Sequence, residues 1–327
     1  MTSAPNRYQP AAQPPRRGGG SAMRALVGVI GAIIIGMFVV NWLTEEAQPA
    51  GPSRPQAPGE YQNENYQVPP IDTNPPELPM PETYGEATQW MVDNAIYQSE
   101  IAVPVFCEAQ PINLSSASLG ALQDHMNELT ACLMRVFGPA VEEAGHIPVR
   151  PSVTIYSQPV QTRCGTMPAM NAAYCAADQQ VYYAADLPRI VPSQLQATPY
   201  VVESVIAHEF AHALQGRTGI LISEAAWEQQ SSESDANAFS RRLEVQADCW
   251  SGQFINSVGQ SVGLGENDVQ NLSLLFFSIG DDQLTGDPNI EGNHGRGDSR
   301  RGWFLEGTQT TSMGACNTFT APDAEVR

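Results

Sequence analysis

The stretch Tyr200-Val201-Val202-Glu203-Ser204-Val205-Ile206-Ala207-His208-Glu209-Phe210-Ala211-His212-Ala213-Leu214 sets two imidazoles and a carboxylate inside an apolar run. Its apolar positions are spread too broadly for a surface helix, which predicts a largely buried helix over 199–216. Thr198 is expected to cap it, Pro199 to open it and Gly216 to end it in a left-handed turn. Residues four apart share a helix face, so His208 and His212 point the same way. Two neutral imidazoles in that relation can ligate one Zn²⁺, with Glu209 placed to act on water beside them. Buried imidazoles without partners are costly, and one shared cation serves both.

A third ligand is available in Arg241-Arg242-Leu243-Glu244-Val245-Gln246-Ala247-Asp248-Cys249-Trp250. Ser232 and Asp235 form a capping pair for a helix over 233–258. On it Phe239, Leu243, Ala247, Trp250 and Phe254 recur at spacings of three and four, giving a core-facing stripe. Glu244, beside that stripe, is the candidate third ligand. Asp248, one turn later, can accept the outer N–H of a ligating His and fix its tautomer. Arg241 and Arg242 are expected to mark the solvent side.

Further segments follow in order: Cys164-Gly165, Tyr174-Cys175, Asp178-Gln179-Gln180-Val181-Tyr182, Ile279-Gly280-Asp281-Asp282, His294-Gly295, Arg300, Trp303-Phe304, Gly307 and Cys316. Together with the two helices they resemble the bacterial, membrane-anchored neutral zinc metallopeptidases. These are gluzincin-like proteins with His-Glu-x-x-His on one helix and Glu-x-x-x-Asp on the next. The resemblance covers about Glu82 to Phe319 and implies a zincin-like domain, Zn²⁺ as cofactor and a peptide or protein substrate. The family usually carries small hydroxyl residues after His-Gly, whereas this chain has Arg296-Gly297-Asp298-Ser299. That departure bears on the shape of the substrate pocket, not on the ligands.

An enzyme of this kind needs a donor for the oxyanion that forms when water attacks a carbonyl. His294, in a Gly-rich turn, is the candidate, set against the alternative of a surface loop His. Arg300 is read as a clamp on Asp281 or Asp282. His125 and His146 are read as ordinary structural or surface side chains.

Ala25 to Leu43 is an uncharged run of nineteen residues, about 29 Å long as a helix and close to the thickness of a bilayer's hydrocarbon core. Arg7, Arg16, Arg17 and Arg24 precede it and Glu45-Glu46 follow. That asymmetry predicts a disordered cytoplasmic tail over 1–24, a single-pass transmembrane helix over 25–43 and an extracytoplasmic body. The run is longer than a signal-peptide core and ends in Asn41-Trp42-Leu43-Thr44 rather than at a small-residue cleavage site. Residues 44–81, dense in Pro, Glu, Gln and Asn, are expected to be a disordered linker.

All six cysteines lie beyond the anchor, as suits an oxidising compartment. Fifteen pairings are possible for six cysteines. Cys107–Cys132, Cys164–Cys175 and Cys249–Cys316 are the expected ones, and the absence of any Cys-x-x-Cys spacing disfavours a second zinc site. Cys249–Cys316 would tie the block carrying His294 to the helix carrying Glu244.

Residues 82–327 read as one helix-rich α+β domain with a small sheet. Thr83-x-x-Glu86 opens a helix, and Leu119 to Val136 form a long amphipathic one that Gly138-Pro139 interrupts. Residues 153–156 and 180–183 are short strands, and 266–279 is helical. The strand at 180–183 is expected at the sheet edge, where an extended substrate can add to it. The net charge of −19 and the absence of Lys exclude binding that depends on neutralising phosphates, and so exclude nucleic acid.

The expectation is a zinc peptidase with His208, His212 and Glu244 as ligands, Glu209 as general base, His294 as oxyanion donor and Asp248 behind the ligands. The alternatives are an inactive, zinc-stabilised binding or scaffold protein of the same fold, and a zinc amidase acting on wall peptides.

Overall fold

The computed structural model describes residues 61–113 and 116–327, so the expected tail, the transmembrane helix at 25–43 and the first part of the linker lie outside the described residues. Among the described residues no helix is long and apolar enough to cross a membrane.

Two helices, α1 (Tyr84–Val92) and α2 (Leu119–Glu143), precede the strands β1 (Val153–Tyr156), β2 (Val160–Thr162), β3 (Gly165–Met167), β4 (Ala172–Cys175) and β5 (Gln180–Ala184). Then come α3 (Val201–Arg217), α4 (Ile220–Glu228), α5 (Glu233–Val258), α6 (Glu266–Ser278), α7 (Asp281–Thr285) and α8 (Gly297–Gly307). The class is helix-rich α+β, as expected.

Strands β1, β5 and β4 form one sheet in that order, with β5 parallel to β1 and antiparallel to β4. β5 is therefore central, and the edges belong to β1 and β4, not to 180–183; β4 is the edge that lines the cleft described below. The pattern that places strands at 153–156 and 180–183 says nothing of this, because edge position depends on which strand the chain pairs next. The β2–β3 hairpin is separate, and Cys164 in its turn is bonded to Cys175 at the end of β4. The other two disulfides, Cys107–Cys132 and Cys249–Cys316, also form as expected.

Helix α3 is buried along almost its whole length, with Val202, Ile206, Phe210 and Leu214 in the main core. Its ends differ from expectation. Tyr200, not Thr198, is the N-cap, held at φ +65°, and its ring is buried with its hydroxyl on Ala109 O. The aromatic anchor overrides the usual small polar cap. Gly216 lies inside the helix, facing Leu78 and the Tyr174 hydroxyl, and the left-handed turn falls at Gly219. Ser232 caps α5 as expected, accepting from the Asp235 N–H.

Helix α2 continues through Pro139 rather than stopping there. Proline removes the N–H that would reach Arg135 O one turn back. Asn63 Nδ2 donates to that carbonyl instead, at 3.1 Å. Tyr66 packs so closely on Gly138 that a Cβ there would lie 2.1 Å from its hydroxyl. Residues 61–81, read by composition as linker, are thus laid against the body. Gln62 bridges to Val105, Ile71 to Arg150, and Pro76 O accepts from Arg217 and Gln179. Low apolar content does not prevent ordering when buried main-chain groups elsewhere need partners.

Helices α5 and α8 cross at glycines. A Cβ on Gly252 would fall 2.0 Å from Phe304 O, and one on Gly307 would fall 1.9 Å from Cys249 O. Backbone contact at this crossing sets α8 beside Asp248. Arg241 and Arg242 are not on a solvent face: they donate to Gly292 O and to Thr318 and Ala321 O, pinning the carboxy-terminal block to α5.

Candidate metal centre

Helix α3 brings His208, Glu209 and His212 to one cleft, and α5 brings Glu244 and Asp248 against them. His208 Nε2 lies 3.2 Å from Glu244 Oε2, His212 Nε2 lies 3.5 Å from Glu244 Oε1, and the two Nε2 atoms are 3.1 Å apart. Atoms bound at about 2.0–2.1 Å around a tetrahedral Zn²⁺ stand about 3.3 Å from one another. The three side chains already have that spacing.

The outer nitrogens explain why these atoms face each other. His212 Nδ1 is 2.7 Å from Gln215 Oε1. Gln215 Nε2 donates to Leu243 O and Gln246 Oε1, so the Gln oxygen must face the ring. His208 Nδ1 is 2.8 Å from Asp248 Oδ1, a short ionic contact in which the N–H is not aimed straight at the oxygen. With both protons on Nδ1, both Nε2 atoms present lone pairs to each other and to a carboxylate. Three electron-pair donors converging in a buried place call for a cation. The residues fit Zn²⁺.

The carboxylates around the imidazoles draw positive charge to this place. Burial works against an imidazolium at His208, but Asp248 and Glu244 outweigh it and raise its pKa to about 10. Burial likewise opposes ionisation of Glu244, yet His212, His208 and Arg300 hold its carboxyl far below the usual range.

Asp248, fully buried, is gripped from behind by Arg300 through Nε to Oδ2 and Nη2 to Oδ1, each at 2.9 Å. Arg300 therefore clamps Asp248, and not Asp281 or Asp282 as expected from the sequence. Asp281 is occupied by the loop ahead of α8: its Oδ2 accepts from the N–H groups of His294 and Gly295, at 2.9 and 3.0 Å. Asp282 accepts from the Gly297 N–H. The unsatisfied amides of a tight Gly-rich turn are the nearer claim on both carboxylates.

His294 reaches the same cleft as His208, Glu209, His212, Glu244 and Arg300. Its Nδ1 is 3.3 Å from Asp281 Oδ1, which leaves Nε2 as the outward atom, and half its side chain is exposed. His125 is a buried partner of Glu203, with Nε2 to Oε1 at 2.8 Å, and does not line the cleft. His146 is half-buried, and burial and nearby Arg217 lower its pKa.

Three contributors escape a reading by motif. Gln215 sits three residues beyond His212 on the same helix face, a signal present in the chain. Gln246 passes the network on to the Tyr97 hydroxyl and Cys316 O. Tyr174, on the edge of β4, donates its backbone N–H to Glu209 Oε2 at 2.8 Å, which no sequence pattern announces.

The sequence profile of the family described as "Putative neutral zinc metallopeptidase" matches residues 105–319. The uncharacterized protein Rv2575 of Mycobacterium tuberculosis H37Rv is 32% identical over 192 residues, covering 53% of this chain and 64% of that protein. The uncharacterized protein Mb2605 of Mycobacterium bovis matches to the same extent. The uncharacterized protein YpfJ of Escherichia coli K12 is 28% identical over 225 residues, covering 64% of this chain and 78% of that protein. The chain thus spans just under two thirds of the length of the mycobacterial relatives. No solved structure matches. The profile covers the strand edge, both ligand-bearing helices and the His294 loop, and on that ground this chain belongs to the neutral zinc metallopeptidase family.

Proposed function

We propose that the chain is a zinc-dependent peptidase, anchored in a membrane by residues 25–43 with its body on the extracytoplasmic side. One observation carries the catalytic reading: three lone-pair donors converge with a fourth, non-ligating carboxylate, Glu209, beside them in an open cleft. A purely structural site has no use for that fourth group. Zinc held by His208, His212 and Glu244 supplies a Lewis acid that brings the pKa of water toward about 7.

The remaining work falls to the protein. Glu209, held by the Tyr174 N–H through one oxygen, keeps the other to take a proton from water and pass it to the departing amine. His294 Nε2 faces the developing oxyanion, with Asp281 orienting the ring. Asp248 and Gln215 hold the imidazole tautomers. The substrate is a peptide or protein. The basic flank before residue 25 and the three disulfides support an oxidising, extracytoplasmic setting.

The test is zinc content after gentle isolation, together with chelator-sensitive cleavage of a peptide mixture. His294→Ala is expected to keep zinc and lose about 10²–10³ in kcat. Stoichiometric zinc without any cleavage would return the chain to the scaffold reading.

A further inference from the structure

Resting on the peptidase reading, we infer that the cleft takes internal segments of polypeptide and selects a bulky apolar side chain beside the scissile bond, with Ile190 and Leu284 as the specificity residues. The cleft encloses about 590 Å³. Its apolar lining is Leu187, Ile190, Pro192 and Val205, from the turn after β5 and from α3, together with Phe276 of α6, Ile279 just after it and Leu284 of α7. Ile190 and Leu284 are 44% and 69% exposed, so both segments of this lining present an uncovered aliphatic side chain. Burying such groups against a substrate side chain is favourable in proportion to the apolar area covered.

The charges of the cleft are committed. Among the described residues lining it, the carboxylates, imidazoles and guanidinium are those of His208, Glu209, His212, Glu244, His294 and Arg300. Arg300 is 4% exposed and spends two donors on Asp248, and His294 is tied to Asp281. With Arg300 committed to Asp248 and His294 Nε2 assigned to the oxyanion, none is left over to clamp a terminal carboxylate, as an exopeptidase that cuts at the carboxy end requires. The two carboxylates there, Glu244 and Glu209, are read as metal ligand and as base, so no further carboxylate stands by for a terminal ammonium.

What the cleft does offer is main chain. Ala184 N–H bonds to Asn171 O, so the antiparallel alternation turns the backbone groups of Ala172 and Tyr174 away from β5. The Tyr174 N–H serves Glu209, and the Ala172 N–H, Ala172 C=O and Tyr174 C=O share the same outward edge. An extended segment running past the site in both directions can pair there. The net charge of −19 adds a repulsion against acidic substrates.

The experiment uses the full chain, zinc-loaded, with peptides acetylated at one end and amidated at the other, differing in one central residue. Interior cleavage is expected, with Leu or Phe beside the cut bond favoured at least tenfold in kcat/KM over Asp or Lys. Ile190→Asp combined with Leu284→Asp should lose at least tenfold on the Leu peptide while zinc content stays unchanged. In parallel, Glu209→Gln with zinc is titrated with the same blocked peptides carrying a fluorophore, and the Leu peptide should bind at least tenfold more tightly than the Asp peptide.

Cleavage confined to peptides with a free terminus, or equal rates for Leu and Asp, would overturn the inference. Selective binding of the Leu peptide without any cleavage by the unmodified chain would keep the ligand class and remove the hydrolytic reading. Neither binding nor cleavage would remove both.

Discussion

The N–H of Tyr174 at the outer edge of β4 and Glu209 Oε2 on α3 are joined by a 2.8 Å hydrogen bond. The carboxylate read as the base is thereby oriented by the strand along which an extended substrate can lie. Any shift of that edge is transmitted to the base.

Glu209→Gln tests this coupling. The amide oxygen can still accept from Tyr174, so thermal stability and zinc content are expected to match the parent. The proton-accepting oxygen is gone, and turnover should fall by about 10²–10⁴. Equal turnover in the variant would remove Glu209 from the chemistry.

The two imidazoles are held from behind by unlike partners, and their substitutions should differ. Asp248→Ala leaves the buried Arg300 guanidinium without its carboxylate, a loss of about 3–5 kcal/mol in stability, and zinc affinity should drop about 10–100-fold. Gln215→Ala unpairs only neutral groups around His212 and Gln246, so the stability loss should be about 1–3 kcal/mol. Zinc titration against a competing chelator, with thermal melts of the metal-free chain, separates the two effects.

Glu224 predicts a pH dependence away from the cleft. It is 4% exposed on α4, and burial, then Glu228 and Glu244, raise its pKa from 4.5 to about 9. Between those values the unfolded carboxyl has released its proton while the folded one retains it. The native state then binds more protons than the unfolded one, so this group makes stability fall as pH rises through that window. Glu224→Gln should flatten the slope and raise stability at pH 8 by on the order of 1–3 kcal/mol. A parallel, undisplaced stability profile would show that Glu224 ionises normally.

Cys249–Cys316 closes a separation of 67 residues and secures the block that carries His294 and Arg300. Replacing both cysteines with Ala should cost about 4 kcal/mol on the chain-entropy account. Zinc binding should weaken as well, because Gln246, which supports Gln215, donates to Cys316 O. Denaturant midpoints of the two forms, each with and without zinc, check both parts.

Much of this site was legible in the chain. His208, Glu209 and His212 follow from helical periodicity, and Glu244 with Asp248 from the same rule on a second apolar stripe, because spacing along one helix is local information. The long helices, the Ser232 cap and the strands at 153–156 and 180–183 were readable for the same reason. Composition misjudged residues 61–81, since it cannot register that Pro139 left the Arg135 carbonyl in need of Asn63. Only the tertiary structure assigned Arg300 to Asp248, Asp281 to the His294 turn and the sheet edge at the cleft to β4. Those choices depend on which distant group arrives within hydrogen-bonding reach, and here glycine crossings between helices and the order of strand pairing decide that.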